Sequence, residues 1–454
     1  MGATKKKYGK GFWFVTGTDL FERLSYYLGR SLILIFVTAS IATGGLGLSD
    51  SQGATMQSLL TACAYGLPLL TGVVCDRFIG ARYTTPAGML LCAAGYFFGS
   101  IAKGPAMVYA MILCVSGGLS LYKIGPLTGR IITDKSQLDS AFSIRYTLVN
   151  VGAFIGTFAV GILYKDVFAK DGVLGFSPCF KIASVVMILG AIWFLYGTRF
   201  MGEVGKQPFK NEKTAEELAH EAEKKTEAKN SKKEAPLTKI EKKRMAAIFL
   251  VSGFSIIFWL FWNLAYLPVY YYWTEHANWI IGGYEVPLTW FDACNSMFCV
   301  ILGPVTAMLW NKLAARPQGD MSLFRKTGIG IGILGLGYVF FVILDIVRGG
   351  GKINCAWLVV FAFLLTLGEM FFSPLGHSFI SKYSPSRYLS TMMAVWGIAT
   401  FVASLSYGPL YAATFGSGLA FKNICIGIAV VAAISAFVLF ALDKKLSKLV
   451  EDED

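Results

Sequence analysis

Long apolar stretches follow one another along nearly the whole chain, separated by short polar segments. A helix needs about 20 apolar residues to cross a bilayer, and most of these stretches reach that length. They are too long and too continuous to be barrel strands, which leaves helices as the structure that can span lipid. We predict an all-α integral membrane protein with about twelve transmembrane helices. The predicted spans lie near residues 12–42, 51–75, 83–102, 105–132, 138–164, 176–198, 245–273, 286–311, 324–347, 353–381, 388–414 and 418–443.

One long segment, residues 199–244, interrupts this pattern because lysine and glutamate dominate it. Such a composition is typical of a solvated, partly helical linker. The linker divides the predicted spans into six and six. We therefore predict an N-terminal six-helix bundle over residues 1–198 and a C-terminal six-helix bundle over residues 245–454. Two such repeats around a central site are the layout of a major-facilitator-type transporter.

Composition and charge agree with a membrane protein. Hydrophobic residues make up 55% of the chain and charged residues only 15%, whereas about a quarter of a soluble protein is charged. The formal net charge of +13 comes from lysines and arginines that cluster before the first span and in alternate loops. This distribution predicts that both termini are cytoplasmic, and it gives no reason to expect a nucleic-acid partner. The expected location is the cell membrane. The first span is too long for a cleavable signal peptide and carries charges inside it.

Residue types that support catalysis or metal binding form no recognisable pattern. The nine cysteines are scattered singly through the predicted helices, and the three histidines do not cluster. No nucleophile–base set, phosphate-binding loop or dinucleotide-binding turn is apparent. We therefore expect neither an enzyme nor a protein with a metal or an organic cofactor.

The first span carries an unusual stripe of charge. Asp19, Glu22, Arg23 and Tyr26 are spaced i, i+3, i+4 and i+7, and Arg30 follows four residues later. Residues at this spacing share one face of a helix. Charged side chains are costly to expose to lipid, so this face is expected to line a cavity between helices.

Two isolated charges of opposite sign lie in the fourth and tenth spans. Lys123 and Glu369 would belong to opposite halves, and each is a suitable partner for the other. A salt bridge between them would hold one conformation closed, and a substrate that competes for either charge would shift the equilibrium between conformations. Arg145 also lies within a predicted span, but near its cytoplasmic end, where the side chain can extend to water.

Several motifs occur in the order of one transporter family. "DLFERLSYYLGR" resembles the first-helix signature of the proton-coupled oligopeptide transporter (POT) family of the major facilitator superfamily, and the "DRFIGAR" turn is similar to the superfamily's loop after the second helix. The resemblance covers nearly the whole chain. The further matching stretches are "YGLPLLTGVVCDRFIGAR", "GGLSLYKIGPLTG", "DSAFSIRYTLVNVGAFIG", "FWLFWN", "FDACNSMFCVILGPVTAMLW" and "TLGEMFFSPLGHSFISKYSP".

This resemblance implies proton-coupled symport of di- and tripeptides by alternating access, and the residue chemistry suits a zwitterion. Arg23 and Lys123 can bind the peptide carboxylate, because guanidinium and ammonium groups pair with carboxylates. Glu369, with Asn150 and Asn295, can bind the ammonium group. Arg30 continues the charged stripe towards the same cavity. The expected aromatic walls of the cavity are Tyr26, Tyr27, Tyr65, Trp259 and Trp396.

The expected proton-coupling acids are Asp19, Glu22, Glu369 and Asp292. Asp19 stands where the family commonly has a glutamate, and Asn263 stands at the place of the usual seventh-helix acid. Asp292 can either replace that acid or lie solvated and idle near the outer membrane edge, and the sequence leaves both readings open. His377 is a further ionisable residue where the family pattern is usually uncharged; a packed or hydrated histidine is the simpler interpretation.

Two alternatives remain open from the sequence. The same fold could carry a peptide-like metabolite or another organic solute with weakened proton coupling, since Asn263 cannot titrate. The chain could also be a membrane sensor or scaffold that acts through its charged linker. For the main hypothesis the expected partners are small peptides, protons and the lipid bilayer, and the expected functional unit is a monomer.

Overall fold

The computed structural model describes residues 8–132, 137–208, 237–317, 321–385 and 388–451. The predicted linker lies largely outside these described residues. Throughout, the linker end is the end of the bundle at which the chain passes from the first half to the second through residues 198–238. The hairpin end is the opposite one, where residues 280–285 form a β-hairpin.

The first half consists of helices that run back and forth between the two ends. A π-helical turn, Leu163–Val167, extends α6 at the hairpin end. The helices are α1 (Lys10–Thr38), α2 (Asp50–Arg77), α3 (Ala81–Ser100), α4 (Pro105–Leu121), α5 (Ile124–Ile131), α6 (Leu138–Ile162) and α7 (Phe176–Gly197).

The second half repeats this arrangement and adds four short strands at the hairpin end. The helices are α8 (Lys239–Leu264), α9 (Tyr266–Tyr270), α10 (Tyr272–His276), α11 (Trp290–Ala314), α12 (Leu323–Arg348), α13 (Ala356–Tyr383), α14 (Leu389–Ala413) and α15 (Phe421–Glu451). The strands are β1 (Ala277–Asn278), β2 (Ile280–Ile281), β3 (Tyr284–Glu285) and β4 (Ile353–Asn354).

The strands form two small pairs. Strands β2 and β3 are antiparallel and are joined by Gly282 and Gly283. Both glycines have positive φ, 59° and 83°, which is the backbone that a two-residue hairpin turn requires. Strand β1 pairs in parallel with β4, the segment just before α13.

The helical content confirms the predicted fold class of an all-α integral membrane protein with about twelve spans. Within the described ranges, nine helical segments are long and apolar enough to cross a membrane. Helices α1, α2 and α3 complete the twelve; they have 29, 28 and 20 residues but a more polar composition. Helix α1 has this more polar composition because the charged stripe lies within it.

Two predicted spans are interrupted, the fourth once and the seventh at Ala265 and at Tyr271, and a proline follows the first break of each. The fourth span divides at Tyr122 and Lys123 into α4 and α5. Pro126 has no N–H to donate to the carbonyl four residues earlier, which belongs to Tyr122, and its ring crowds that carbonyl. Pro268 has the same relation to Leu264, where α8 ends. Both prolines are visible in the sequence.

The second half begins earlier than predicted. Helix α8 starts at Lys239, within the predicted linker of residues 199–244. The Thr238 side chain accepts from the Glu241 backbone N–H, and the Glu241 carboxylate accepts from the Thr238 N–H. This capping box stabilises the first turn although its residues are polar, so that a hydropathy pattern places the boundary too late.

The two halves approach each other closely where small residues meet. A Cβ at Gly408 of α14 would lie 2.6 Å from the Ala54 carbonyl oxygen of α2, and a Cβ at Gly161 of α6 would lie 2.7 Å from Pro287. Small residues at helix interfaces allow this approach in membranes. The pairs α2–α14 and α6–α11 thus join the halves.

Candidate functional site

The charged stripe of α1 faces the interior, as its spacing predicts. Asp19 and Glu22 are each 1% exposed. The Arg23 guanidinium lies against the Glu22 carboxylate, with Nη2 donating to Oε1 at 2.9 Å and Nε also donating to Oε2. The central carbon of the Arg23 guanidinium also lies 5.3 Å from the centre of the Tyr26 ring. Glu22 and Arg23 therefore form an ion pair within one helix.

Asp19 is held by two other segments of the first half. Arg145 of α6 donates to it through Nε at 2.7 Å and through Nη2 at 3.3 Å. The hydroxyl of Tyr122, at the break between α4 and α5, donates at 2.9 Å. The expectation that Arg145 extends to water at a helix end is wrong, because the side chain turns inward to this carboxylate and is only 27% exposed.

The sequence gives an indirect signal for this contact. Gly152 and Gly156 lie on α6 with the spacing of small-residue contacts, and a Cβ at either would lie within 2.8 Å of the carbonyl oxygen of Leu20 or Leu24. Helices α1 and α6 therefore pack closely. Arg145 lies two turns before Gly152, which brings its side chain within reach of Asp19.

Lys123 lies in the irregular segment between α4 and α5. Its backbone N–H donates to Thr85 Oγ1 at 3.3 Å, and its carbonyl accepts from Leu127 at the start of α5. The side chain is half-buried. In the described part of the chain, its Nζ has no hydrogen bond or ion pair.

Glu369 of α13 meets its expected amide partner. Asn295 of α11 donates through Nδ2 to Glu369 Oε2 at 2.9 Å and to Thr366 Oγ1 at 3.0 Å. No ion pair with Lys123 is formed in this conformation, as judged over the described residues. Glu369 and Asn295 thus form a polar group on the second half, and Lys123 remains on the first.

Asn150, the other expected amide, is directed elsewhere. Its Nδ2 donates to the carbonyl of Tyr146, one turn earlier in α6, at 3.0 Å. Asn263 of α8 behaves similarly, since its Nδ2 donates to the Trp259 carbonyl at 2.7 Å. An asparagine that bonds to its own helix keeps only its carbonyl oxygen for other partners.

Aromatic side chains surround these charges on both halves. Tyr26 and Tyr27 meet edge to face with ring centres 5.3 Å apart, and Arg30 lies 5.8 Å from the Tyr27 ring centre. Tyr65 of α2 is 50% exposed. On the second half, Trp259 and Trp396 both contact Phe372, at 6.3 and 6.0 Å between ring centres. Phe372, one turn from Glu369, was not expected from the sequence.

Asp292 lies between the halves towards the hairpin end. Its Oδ2 accepts from Ser31 of α1 and from Tyr270 of α9, each at 2.9 Å. In this conformation the carboxylate accepts from neutral donors of both halves, and the Arg30 guanidinium of α1 is a nearby positive charge. The side chain of His377 lies outside the described residues.

The hairpin end carries a cross-half contact that the sequence did not indicate. Lys165 pairs with the Glu285 carboxylate at 2.7 Å, and the Tyr284 hydroxyl donates to Asp166 Oδ2 at 2.7 Å. Burial, the hydrogen bond to Asp166 and its charge raise the pKa of Tyr284 to about 12, so that the phenol keeps its proton and donates. We call these two pairs the hairpin latch.

Other bonds between the halves lie on the same side of the central charges. Ser58 Oγ donates to the Ser404 carbonyl at 2.7 Å, Thr61 and Tyr407 share a bond of 3.2 Å, and the Trp290 Nε1 donates to the Phe158 carbonyl at 3.1 Å. The Trp290 and Phe158 rings also stack, 4.5 Å apart. These contacts close the hairpin end of the interface between the halves.

Comparison with known proteins places this arrangement in a family. The sequence profile of the POT family matches residues 131–415. Because this match covers more than half of the chain, the chain belongs to the POT family, as the motifs predict. Its relatives are transporters and not enzymes.

Individual relatives are similar over most of their length. An uncharacterized transporter of Bacillus subtilis, YclF, is 26% identical over 424 residues, which cover 85% of this chain and 84% of the relative. A di-/tripeptide transporter of Lactococcus lactis subsp. cremoris is 24% identical over 444 residues, with 86% of each chain covered.

Solved structures agree on the fold. A crystal structure of a variant of the peptide transporter POT in complex with alafosfalin superposes with a TM-score of 0.86 at 23% identity, covering 99% of this chain and 97% of that one. A POT family transporter in complex with 5-aminolevulinic acid gives a TM-score of 0.85 at 21% identity, with 98% of each chain covered. The fold is that of the POT transporters, and the chain is a multi-pass membrane protein.

Proposed function

We propose that this protein is a secondary active transporter that moves di- and tripeptides by alternating access, coupled to protons. The observation that carries the proposal is the separation of charge across the centre. Lys123 stands on the first half without a counter-ion among the described residues, and Glu369 stands on the second half with Asn295. Relatives described as di-/tripeptide transporters support the same substrate class.

A peptide zwitterion would satisfy both groups. Its carboxylate would pair with Lys123, since Arg23 is already engaged by Glu22. Its ammonium group would pair with Glu369, and the carbonyl oxygens of Asn295 and Asn150 are further acceptors. Binding of both poles would draw the halves together at the linker end, which is the differential interaction that a conformational change requires.

Among the expected proton carriers, Glu369 is the one that we place first. Asp19 and Glu22 each pair with a guanidinium group, and protonating either acid would leave a cation without its partner. Glu369 accepts from an amide, so that protonation strands no charge. Asp292 also accepts from neutral donors, Ser31 and Tyr270, but the Arg30 guanidinium lies near it, so that we place Asp292 second.

The orientation belongs to the proposal. With both termini in the cytoplasm of a cell membrane, the linker end is cytoplasmic. The hairpin latch then closes the outer side, and the conformation is inward-facing. Each half contributes one pole of the site, so that a single chain is a complete functional unit.

The test is uptake of a labelled dipeptide into proteoliposomes, with and without an inward proton gradient. We expect accumulation that requires the gradient and that a protonophore abolishes. Free dipeptide should compete with the label at least about tenfold better than N-acetylated or C-amidated dipeptide, because about 1.4 kcal/mol is lost with either pole. Equal competition by blocked and free peptides would contradict the two-pole site.

A second candidate is transport of another small zwitterion with weak proton coupling. Asn263 favours it, because an amide bonded to its own helix carbonyl cannot carry a proton. The same liposomes decide between the two: a panel of dipeptides, tripeptides and ω-amino acids is tested as competitors. If only ω-amino acids compete, the proposed substrate class changes from peptides to ω-amino acids.

A further inference from the structure

Asp19 is the meeting point of three segments of the first half. The carboxylate lies on α1, Arg145 reaches it from α6, and Tyr122 reaches it from the break between α4 and α5. Lys123, the residue next to Tyr122, has a side-chain amine without a hydrogen bond or ion pair among the described residues. The contact between Asp19 and Tyr122 therefore fixes the segment that carries Lys123.

We propose that Arg145 is a positioning residue that, through Asp19 and Tyr122, keeps Lys123 free and correctly placed for the substrate carboxylate. The inference rests on the proposed function for its substrate and on the geometry of the first half for its mechanism. Arg145 itself is not expected to touch the peptide.

The first step of the argument concerns the charge of Asp19. Two guanidinium N–H groups of Arg145 reach both carboxylate oxygens, at 2.7 and 3.3 Å. The other charged groups near Asp19 are Arg23 and Glu22, and these two already pair with each other. Without Arg145, a buried carboxylate would keep only the Tyr122 hydroxyl as donor, which is unfavourable unless another cation approaches. Arg23 is held by Glu22, and Lys123, one residue from Tyr122, is the cation on the segment that supplies this remaining donor.

The second step concerns the flexibility of the segment. Helix α4 ends at Leu121 and α5 begins at Ile124, and Pro126 supplies no N–H for the Tyr122 carbonyl. Tyr122 and Lys123 therefore depend on contacts with other helices for their position. Those contacts are the Tyr122 hydroxyl on Asp19 and the Lys123 N–H on Thr85.

The third step separates positioning from folding. Helices α1 and α6 pack through Gly152 and Gly156, whose contacts are with the backbone of α1. This packing does not need the Arg145 side chain. Replacing Arg145 is therefore expected to change the local charge arrangement while the helices stay in place.

The first experiment reads the state of Lys123 without any substrate. Purified protein is treated briefly with an N-hydroxysuccinimide acetate reagent, and acetylation at Lys123 is quantified by mass spectrometry. In Arg145→Gln we expect acetylation of Lys123 to slow about fivefold or more, because the amine pairs with Asp19. Lys181 serves as internal reference, and Arg199→Gln, an exposed arginine at the linker end, is the matched control. An unchanged rate at Lys123 would overturn the proposal.

The second experiment measures transport. In proteoliposomes, Arg145→Gln should raise the KM for free dipeptide about tenfold with little change in maximal rate, and Arg145→Lys should restore part of the loss. Tyr122→Phe should act in the same direction with a smaller effect. The KM for C-amidated dipeptide should change little, since that substrate has no carboxylate for Lys123. Equal loss for both substrates would show a merely structural role for Arg145.

The two experiments also separate this inference from the proposed function. If the parent protein takes up no dipeptide, the proposed function fails, yet the acetylation rates still decide whether Arg145 controls Lys123. If the parent takes up dipeptide and the acetylation rates of Arg145→Gln and the parent agree, the inference alone fails.

Discussion

The acidic residues of the two halves are held in different ways. On the first half, Asp19 and Glu22 are almost fully buried and each pairs with a guanidinium group. On the second half, Glu369 accepts from the Asn295 amide, and Asp292 accepts from two hydroxyl groups with the Arg30 guanidinium nearby but not in an ion pair with it among the described residues. Removing charge from a buried ion pair strands its partner, whereas a carboxylate among neutral donors can be neutralised without this cost.

From this difference we infer that the acids of the two halves have different roles. Under the proposed function, we expect the acids of the first half to fix cations in place and those of the second half to exchange protons. The predictions below test this division, beginning with the largest expected effect.

The largest effect is expected at Glu369. Glu369→Gln keeps the size of the side chain but cannot carry a proton, so that gradient-driven accumulation of dipeptide should be abolished. Exchange of peptide for peptide at saturating concentration should continue, because it needs no net proton movement. Driven uptake and counterflow are compared in the same liposomes.

Glu22→Gln is the matched variant on the first half. It leaves Arg23 without its carboxylate, so that we expect reduced thermal stability with coupling retained. Loss of coupling in Glu22→Gln and its retention in Glu369→Gln would reverse the division between the halves.

The second-largest effect on transport is expected at Lys123. Lys123→Ala removes the partner of the substrate carboxylate, and we expect the KM for free dipeptide to rise at least about tenfold, which corresponds to about 1.4 kcal/mol. Lys103, at the other end of the first half, provides the control variant Lys103→Ala. If Lys123→Ala accumulates peptide with the parent's KM and rate, Lys123 has no part in binding.

A moderate effect is expected at Asp292. Asp292→Asn should lower driven uptake about threefold, which corresponds to about 0.7 kcal/mol. Counterflow should be impaired less. Adding Asn263→Glu, which restores the family's seventh-helix acid, should recover part of the driven uptake. Unchanged driven uptake in Asp292→Asn would leave this residue as a contact between halves only.

The smallest effect is expected at the hairpin latch. Glu285 is 64% exposed in its pair with Lys165, and exposed ion pairs contribute at most about 1 kcal/mol. Glu285→Gln should therefore change the balance between inward-facing and outward-facing forms by at most about fivefold. Spin-label distances across the hairpin end measure this balance, and Glu275→Gln is a control in the same region. A much larger shift of this balance in Glu285→Gln would show that the hairpin latch is the main contact that keeps the hairpin end closed.

The latch should also be insensitive to pH in the alkaline direction. Tyr284 loses its proton only near its raised pKa of about 12. Below that value the neutral phenol donates to Asp166, and above it the phenolate would repel the carboxylate. The same spin-label distances should therefore stay constant between about pH 7 and pH 10.

The sequence by itself determined the features that depend on local geometry. Helix periodicity placed Asp19, Glu22 and Arg23 on one face of α1, and burial of that face follows from the cost of charge in lipid. The twelve apolar segments fixed the membrane fold class. The breaks at Tyr122 and after Leu264 were not predicted, because Pro68, Pro86, Pro304 and Pro409 lie inside continuous helices and a proline alone does not mark a break.

Only the tertiary structure decided which side chains meet. Arg145 turns to Asp19 because close packing at Gly152 brings α6 onto α1. Asn150 bonds to its own helix, away from Glu369, and Lys123 and Glu369 stay apart in a conformation closed at the hairpin end. These outcomes depend on which helices are neighbours and on how far the halves have separated, and residue spacing along one helix contains neither quantity.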